Sequence, residues 1–298
     1  MHSFRWIGPM AVLMSIGCPV GTEAQPEGAS LAKVEFTTLQ DYMIVVPVII
    51  NGTGPFKFLL DTGTSRSAVT AKLEAKLGLP ASVMGSTVGL TGTLAVSRVH
   101  ANTISIGDAT VRGLDLTALP KENGLPSELN GILGEDFLEN FDVLIDNRHQ
   151  FVKLAAGGTA LGDSLKGERL PLTLRGILEG QPTAGRLILR GSIPELGMRN
   201  MSFQLDSGTN AVVLFGRTDH PALFSQTSRL DTTLSSIREV RHGVVRVVQL
   251  GHGSISDVAA VSLPEHGRMD TDGLLPTSVF RSVFISHAHG YVIFNPAR

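Results

Sequence analysis

Two aspartates, Asp61 and Asp206, occupy the same local sequence, one in each half of the chain. The copies read Phe58-Leu59-Leu60-Asp61-Thr62-Gly63-Thr64 and Phe203-Gln204-Leu205-Asp206-Ser207-Gly208-Thr209. Two carboxyls forced together cannot both ionise easily, so one can stay protonated as a general acid while the other acts as a base. The surrounding residue types suit that task. Apolar residues form a strand, the Gly allows a tight turn and close approach by a second chain segment, and the flanking hydroxyls can hydrogen-bond the carboxylate or its backbone.

A second element is repeated as well. Asn130-Gly131-Ile132-Leu133-Gly134 follows Asp61, and Asp272-Gly273-Leu274-Leu275-Pro276 follows Asp206 at nearly the same distance. Each leads into a short helix-like stretch, Phe137 to Phe141 and Val279 to Val283. Each then continues as an apolar hairpin, Asp142 to Leu154 and Phe284 to Phe294. Matching order at matching distance predicts an internal duplication.

With both repeats in view, the chain resembles the aspartic peptidases, and its shortness and wording are most similar to the retropepsin-like bacterial members. The resemblance covers about residues 35–296. It implies an all-β, two-lobed acid-protease fold, each lobe a closed β-barrel, in which two lobes of one chain take the place of two subunits. It also implies that Asp61 and Asp206 are a catalytic dyad activating a water against a peptide bond, with no covalent intermediate. By the same resemblance Thr62 and Ser207 link the two loops across the lobe interface, and Thr64 and Thr209 bond outward carboxylate oxygens. Gly63 and Gly208 shape the loops, and Gly134 and Pro276 end the segments that cross behind them. Pro276 stands where the family has Gly, a departure in the support of Asp206.

A peptidase of this kind needs a flap over its cleft. Gly85 to Leu94 has the small-residue composition for one, with Gly89, Leu90, Thr91 and Gly92 as the candidate residues, and Arg238 to Gly253 is the expected equivalent in the second lobe. Pepsin-like enzymes carry a flap Tyr. Tyr42 and Tyr291 lie outside both regions, which favours the retropepsin-like comparison.

Composition bounds the rest. The chain has 298 residues, 42% of them hydrophobic, with 33 Gly, enough for two lobes of roughly 100 to 150 residues each. A net charge of −2 leaves no basic footprint for nucleic acid. Residues 1–24 read as an export signal, with a weakly basic start, an apolar run from Ile7 to Gly17, and Thr22-Glu23-Ala24 before Gln25. The run is too short for a membrane span, which needs about 20 apolar residues. The expected location is therefore periplasmic or secreted, with a lipid anchor on Cys18 as the alternative. Cys18 is the sole cysteine, so the mature chain has no internal disulfide, no cysteine nucleophile and no Cys-based zinc site.

The expected organisation is a first lobe over 31–157, a turn-rich linker over 158–168 and a second lobe over 169–298. Tyr42 to Ile50 and Phe56 to Leu60 flank Asn51-Gly52 as a hairpin leading to Asp61, and Ala68 to Leu77 reads as a short helix ended by Gly78 and Pro80. In the second lobe, Leu187 to Leu189 and Met201 to Leu205 read as strands joined by a longer connection, Ile193 to Asn200.

His287-Ala288-His289 could offer two imidazoles on one strand face, but its echo in Asn147-Arg148-His149-Gln150 reads as a hairpin turn. No metal or cofactor is expected, and no Gly-x-Ser-x-Gly elbow or phosphate-binding Gly-Lys-Ser/Thr loop is present. The expected partner is a peptide or protein substrate, with no nucleic acid and no membrane span, and the expected state is a monomer. A catalytically inactive peptide-binding protein on the same fold and a homodimeric peptidase with lobe-to-lobe pairing between chains are the alternatives.

Overall fold

The apolar run Met43–Ile50 (β1) turns back on itself at Asn51-Gly52, whose φ angles of 49 and 75 are both left-handed. Asn-Gly is the pair that favours such a two-residue hairpin turn. The chain returns as Thr53–Leu60 (β2), which ends one residue before Asp61. The computed structural model describes residues 13–16, 25–28, 31–89, 92–121, 124–156, 161–178, 181–216, 226–232, 236–263 and 271–297. Of the expected export signal it describes only the backbone of Leu13–Ile16, which pairs with residues 86–89; the remainder lies outside the described residues.

After the Asp61 loop come Ala68–Thr70 (β3) and the helix Ala71–Leu77 (α1). The Thr70 hydroxyl accepts the Leu73 N–H as N-cap, and Gly78, with φ 58, closes the other end. Where one helix was expected from Ala68, its first residues form a strand. The pairing of Ala68 and Val69 with Ile132 and Gly131 outweighs helix propensity there. Gly92–Ile106 (β4), Ala109–Leu119 (β5) and Gly131–Leu133 (β6) complete the lobe. Hydrogen bonding runs β1–β2–β6–β3–β5–β4 and returns from β4 to β1, so the sheet is closed.

The second half repeats this wiring with Gln181–Ile193 (β7), Met198–Asp206 (β8), Val212–Phe215 (β9), Ser236–Leu250 (β10), Gly253–Leu263 (β11) and Gly273–Pro276 (β12). Its ring is β7–β8–β12–β9–β11–β10, closed from β10 to β7 through Ser192 and Gln249. Parallel and antiparallel pairs fall at the same places in both: β6 runs parallel to β2 and antiparallel to β3, as β12 does to β8 and β9. The protein is a nearly all-β molecule of two closed six-stranded barrels.

A separate six-stranded sheet joins the lobes, in the order Leu170–Pro171, Tyr291–Phe294, Ser282–Ser286, Phe141–Asp146, Phe151–Ala156, Leu31–Glu35. The apolar hairpin that follows each repeated segment meets its counterpart here, Val143 opposite Ile285. Val143, Ile145, Val283 and Ile285 are fully buried in one core cluster that reaches both barrels. The helical turns before the hairpins lie at Glu135–Leu138 (α2) and Thr277–Val279, each slightly earlier than expected. Of the linker expected over 158–168, residues 158–160 lie outside the described residues, and Gly162–Ser164 forms a single helical turn.

Candidate active site

Each candidate aspartate sits at the C-terminal end of a strand held from behind. In the first lobe β6 pairs with β2, Leu133 opposite Leu60, and the Asp61 N–H donates to the Leu133 carbonyl at 3.0 Å. In the second, Leu275 lies opposite Leu205 and Pro276 opposite Asp206. The supporting segments are themselves clamped in equivalent fashion. Lys57 donates its N–H to Asn130 Oδ1 at 3.1 Å, and Ser202 donates its own to Asp272 Oδ2 at 2.9 Å. The first residue of each repeated segment is therefore a side-chain acceptor for the strand carrying the aspartate.

The two support segments end differently. A Cβ on Gly134 would press on the backbone of Arg66 at 2.8 Å and the Thr64 methyl at 2.9 Å, so only Gly fits. Pro276, with φ −69 and ψ 135, instead continues β12 by one residue. The first lobe adds a clamp that the second lacks: Asp136 accepts the Ser67 N–H at 2.9 Å and its hydroxyl at 2.6 Å, and Ser67 Oγ in turn accepts the Gly134 N–H at 2.9 Å. Burial pushes the Asp136 carboxyl above its ordinary range, opposed by Arg66 and the Ser67 bonds.

The two loops meet across the lobe interface. Thr62 N–H donates to Ser207 Oγ at 2.9 Å, and Ser207 N–H donates to Thr62 Oγ1 at 3.0 Å. Each hydroxyl then donates onward into the opposite lobe, Thr62 to the Leu205 carbonyl at 3.2 Å and Ser207 to that of Leu60 at 2.8 Å. Asp61 Oδ1 accepts the Gly63 N–H at 2.8 Å, and Asp206 Oδ1 accepts that of Gly208 at 2.7 Å. Gly63 is also where the loops touch most closely, since a Cβ there would overlap the Asp206 carboxyl.

Both carboxyls are completely buried, and the close approach of Gly63 to the Asp206 carboxyl brings the two loops that carry them together. Burial raises Asp61 well above the usual carboxylate range, with the Asp206 charge next in size and Glu135 adding to it. Burial also raises Asp206 to about 7, against the lowering effect of the Gly208 N–H. Such a pair titrates as a unit, holding one proton over a range displaced toward neutrality.

With this geometry, residues 46–137 match the model of a family described as aspartyl protease. The resemblance to the retropepsin-like aspartic peptidases holds. The aspartyl protease match takes in Asp61 and Gly134, and the second lobe lies beyond it. Among solved structures, a retropepsin-like aspartic protease from Rickettsia conorii is similar at 20% identity and a TM-score of 0.33, over 45% of this chain and 96% of that one. No curated protein matches the sequence.

Several expected features of the candidate site differ in detail. The Thr209 hydroxyl donates to the Ala211 carbonyl at 3.2 Å, and Thr64 donates to that of Arg66 at 3.4 Å, while neither Asp61 Oδ2 nor Asp206 Oδ2 has a hydrogen-bond partner among the described residues. A short hydroxyl side chain readily bonds backbone two residues ahead, as both threonines do here. Gly89 and Gly92 face each other at the end of the hairpin Ala81–Gly89 and β4; Leu90 and Thr91 lie outside the described residues. In the second lobe the equivalent hairpin is Gln226–Thr232 with β10, so the expected Arg238 to Gly253 covers most of its second strand and the turn that follows. The turn glycine Gly251 closes β10 onto β11.

Four residues unremarked as site residues in the sequence support the dyad or its loops, directly or through one another. Gln204, fully buried, donates to the Gly63 carbonyl at 2.7 Å, where the first lobe has Leu59 at the equivalent position. Tyr42 is buried among Val45, Leu59, Leu119, Leu129 and Ile132. Burial, then the charges of Asp206 and Asp61, hold its phenol protonated far above its ordinary value. Glu135 donates its N–H to the Thr64 carbonyl at 2.9 Å, and its carboxyl meets His287 Nε2 at 2.8 Å. His287, expected in a hairpin turn, occupies one, with its ring buried beneath the other lobe.

Proposed function

We propose that the protein is an aspartic-type endopeptidase that hydrolyses peptide bonds with a water activated between Asp61 and Asp206. The observation that carries this reading is the reciprocal hydrogen bonding of Thr62 and Ser207, which holds two fully buried carboxyls together from opposite lobes. With one proton between them, the ionised carboxylate takes a proton from the water as its oxygen attacks the scissile carbonyl carbon. The protonated carboxyl gives its proton to the carbonyl oxygen. The tetrahedral product then collapses as a proton passes to the leaving nitrogen, and no bond to the protein forms at any stage.

One chain supplies both carboxyls, so a monomer suffices. The apolar wall formed by Tyr42, Leu119 and Leu129, with partly buried Leu39 and Leu125 against it, supports preference for an apolar side chain near the cut bond. The export-type N-terminus supports action outside the cytoplasm. Digestion of a diverse peptide mixture, read by mass spectrometry, tests the reading: internal cuts are expected, and release of terminal residues alone would remove the endopeptidase assignment.

A further inference from the structure

Outside the dyad, the buried His287 and Glu135 form a pair that the peptidase mechanism does not use. His287, from the turn after Ser282–Ser286 in the second half of the chain, reaches under the first barrel. Its Nδ1 lies 2.6 Å from the Phe141 carbonyl, which can only accept, so Nδ1 carries a hydrogen. Its Nε2 lies 2.8 Å from Glu135 Oε2, so a second proton is shared between ring and carboxyl. Both side chains are almost wholly withdrawn from solvent, at 4% and 0% exposure. A buried pair of this kind is charge-balanced while it holds that proton and carries one uncompensated negative charge once the proton leaves.

Its position gives that charge a target. Glu135 is bonded through its backbone to Thr64, in the Asp61 loop, and its β-carbon lies against Gly185 of the second lobe, where an added Cβ would come within 3.0 Å of it, so it is held from both lobes. We propose that Glu135 and His287 are a positioning pair for the Asp61–Asp206 dyad: the proton held between them decides whether an unbalanced carboxylate lies beside Asp61, and so how firmly the dyad keeps its own proton. This rests on the peptidase reading only for its consequence in turnover; the linkage itself is an equilibrium property.

The other charged groups around the pair are Asp136 and Glu139 on and just after α2, Arg66 in the segment after the Asp61 loop, and Asp142, which accepts from Ser286 at 3.1 Å. His289 also contacts Ser286, at 3.2 Å. Glu139 donates its N–H to the Glu135 carbonyl at 2.7 Å, and among the hydrogen bonds the structure gives none of these side chains reaches the Glu135 carboxyl or the His287 ring. The Glu135 charge raises Asp61, and Glu135 raises His287 against its burial, directions that agree with the geometry.

The test is a carboxyl-carbon NMR titration of Asp61 and Asp206 in the full chain, which needs no turnover. In the wild type, the Asp61 resonance is expected to carry an inflection at the pH where the His287 ring nitrogens report loss of its proton. Glu135→Gln is expected to move the dyad's upper midpoint to lower pH. His287→Gln is expected to move it upward, and to move nothing when added to Glu135→Gln, because His287 acts only through Glu135. An Asp61 titration blind to His287, an unmoved midpoint in Glu135→Gln, or an equal His287→Gln effect in both backgrounds would overturn the proposal. The wild-type inflection stands as a test even where a variant does not fold. Peptide cleavage by the same samples separates the two readings: linked titration without cleavage sinks the peptidase and keeps the pair, while cleavage without linkage does the reverse.

Discussion

Thr62 and Ser207, far apart in sequence, exchange backbone-to-hydroxyl hydrogen bonds of 2.9 and 3.0 Å, and each hydroxyl donates a hydrogen bond to a carbonyl of the opposite lobe. The lobes are thus locked one residue away from each aspartate. Ser207→Ala removes the acceptor for Thr62 N–H and the donor to the Leu60 carbonyl, leaving two buried groups unpaired. Each costs about 1–3 kcal/mol. Urea unfolding is expected to show a loss on that scale, whereas Thr62→Ser, which keeps the hydroxyl, should stay close to wild type.

Gly63→Ala should separate folding from activity. The added methyl would overlap the Asp206 carboxyl, not the core of either barrel. The two loops must move apart. Misplacement of about an ångström can cost on the order of 10²-fold in rate, so kcat/KM is expected to fall at least that far with circular dichroism unchanged.

Gln204→Leu copies into the second lobe the residue found at the equivalent place in the first. It removes the 2.7 Å bond to the Gly63 carbonyl, which stays buried. The expected outcome is a thermal unfolding temperature below wild type and a kcat lowered through the Asp61 loop, without a change in cut-site preference. Thermal melts beside a cleavage-site map check both.

The raised Asp206 carboxyl has a consequence for stability. Its folded pKa of about 7 lies above that of an unfolded aspartate, so the native chain binds the extra proton and native stability falls as pH rises through that window. Asp206→Asn removes the penalty. It is expected to exceed wild type in unfolding free energy at pH 8 by roughly a few kcal/mol, and the difference should close as pH falls toward 4. A gap constant with pH would contradict the raised carboxyl.

The sequence made the dyad legible because Asp-hydroxyl-Gly and the segment behind it are local patterns, each encoded within a few consecutive residues. The duplication was legible for the same reason, since both copies keep the order strand, loop, supporting segment and hairpin. Glu135, Gln204 and His287 were not legible. Their partners lie more than a hundred residues away and are chosen by how the lobes pack, as in Gln204 to Gly63 and His287 to Glu135. The second-lobe hairpin starts earlier than the expected Arg238 to Gly253, because its first strand, Gln226–Thr232, carries no glycine to mark it in the sequence.

The central claim is that Asp61 and Asp206 act as one unit on one water. Its most direct test is peptide cleavage measured from pH 3 to 8 for the wild type, Asp61→Asn and Asp206→Asn, with folding of each verified. The account predicts a bell-shaped kcat/KM for the wild type, with its limbs above the ordinary carboxylate range, and loss of turnover in both variants. Full activity in either variant would remove that aspartate from the dyad and contradict the mechanism.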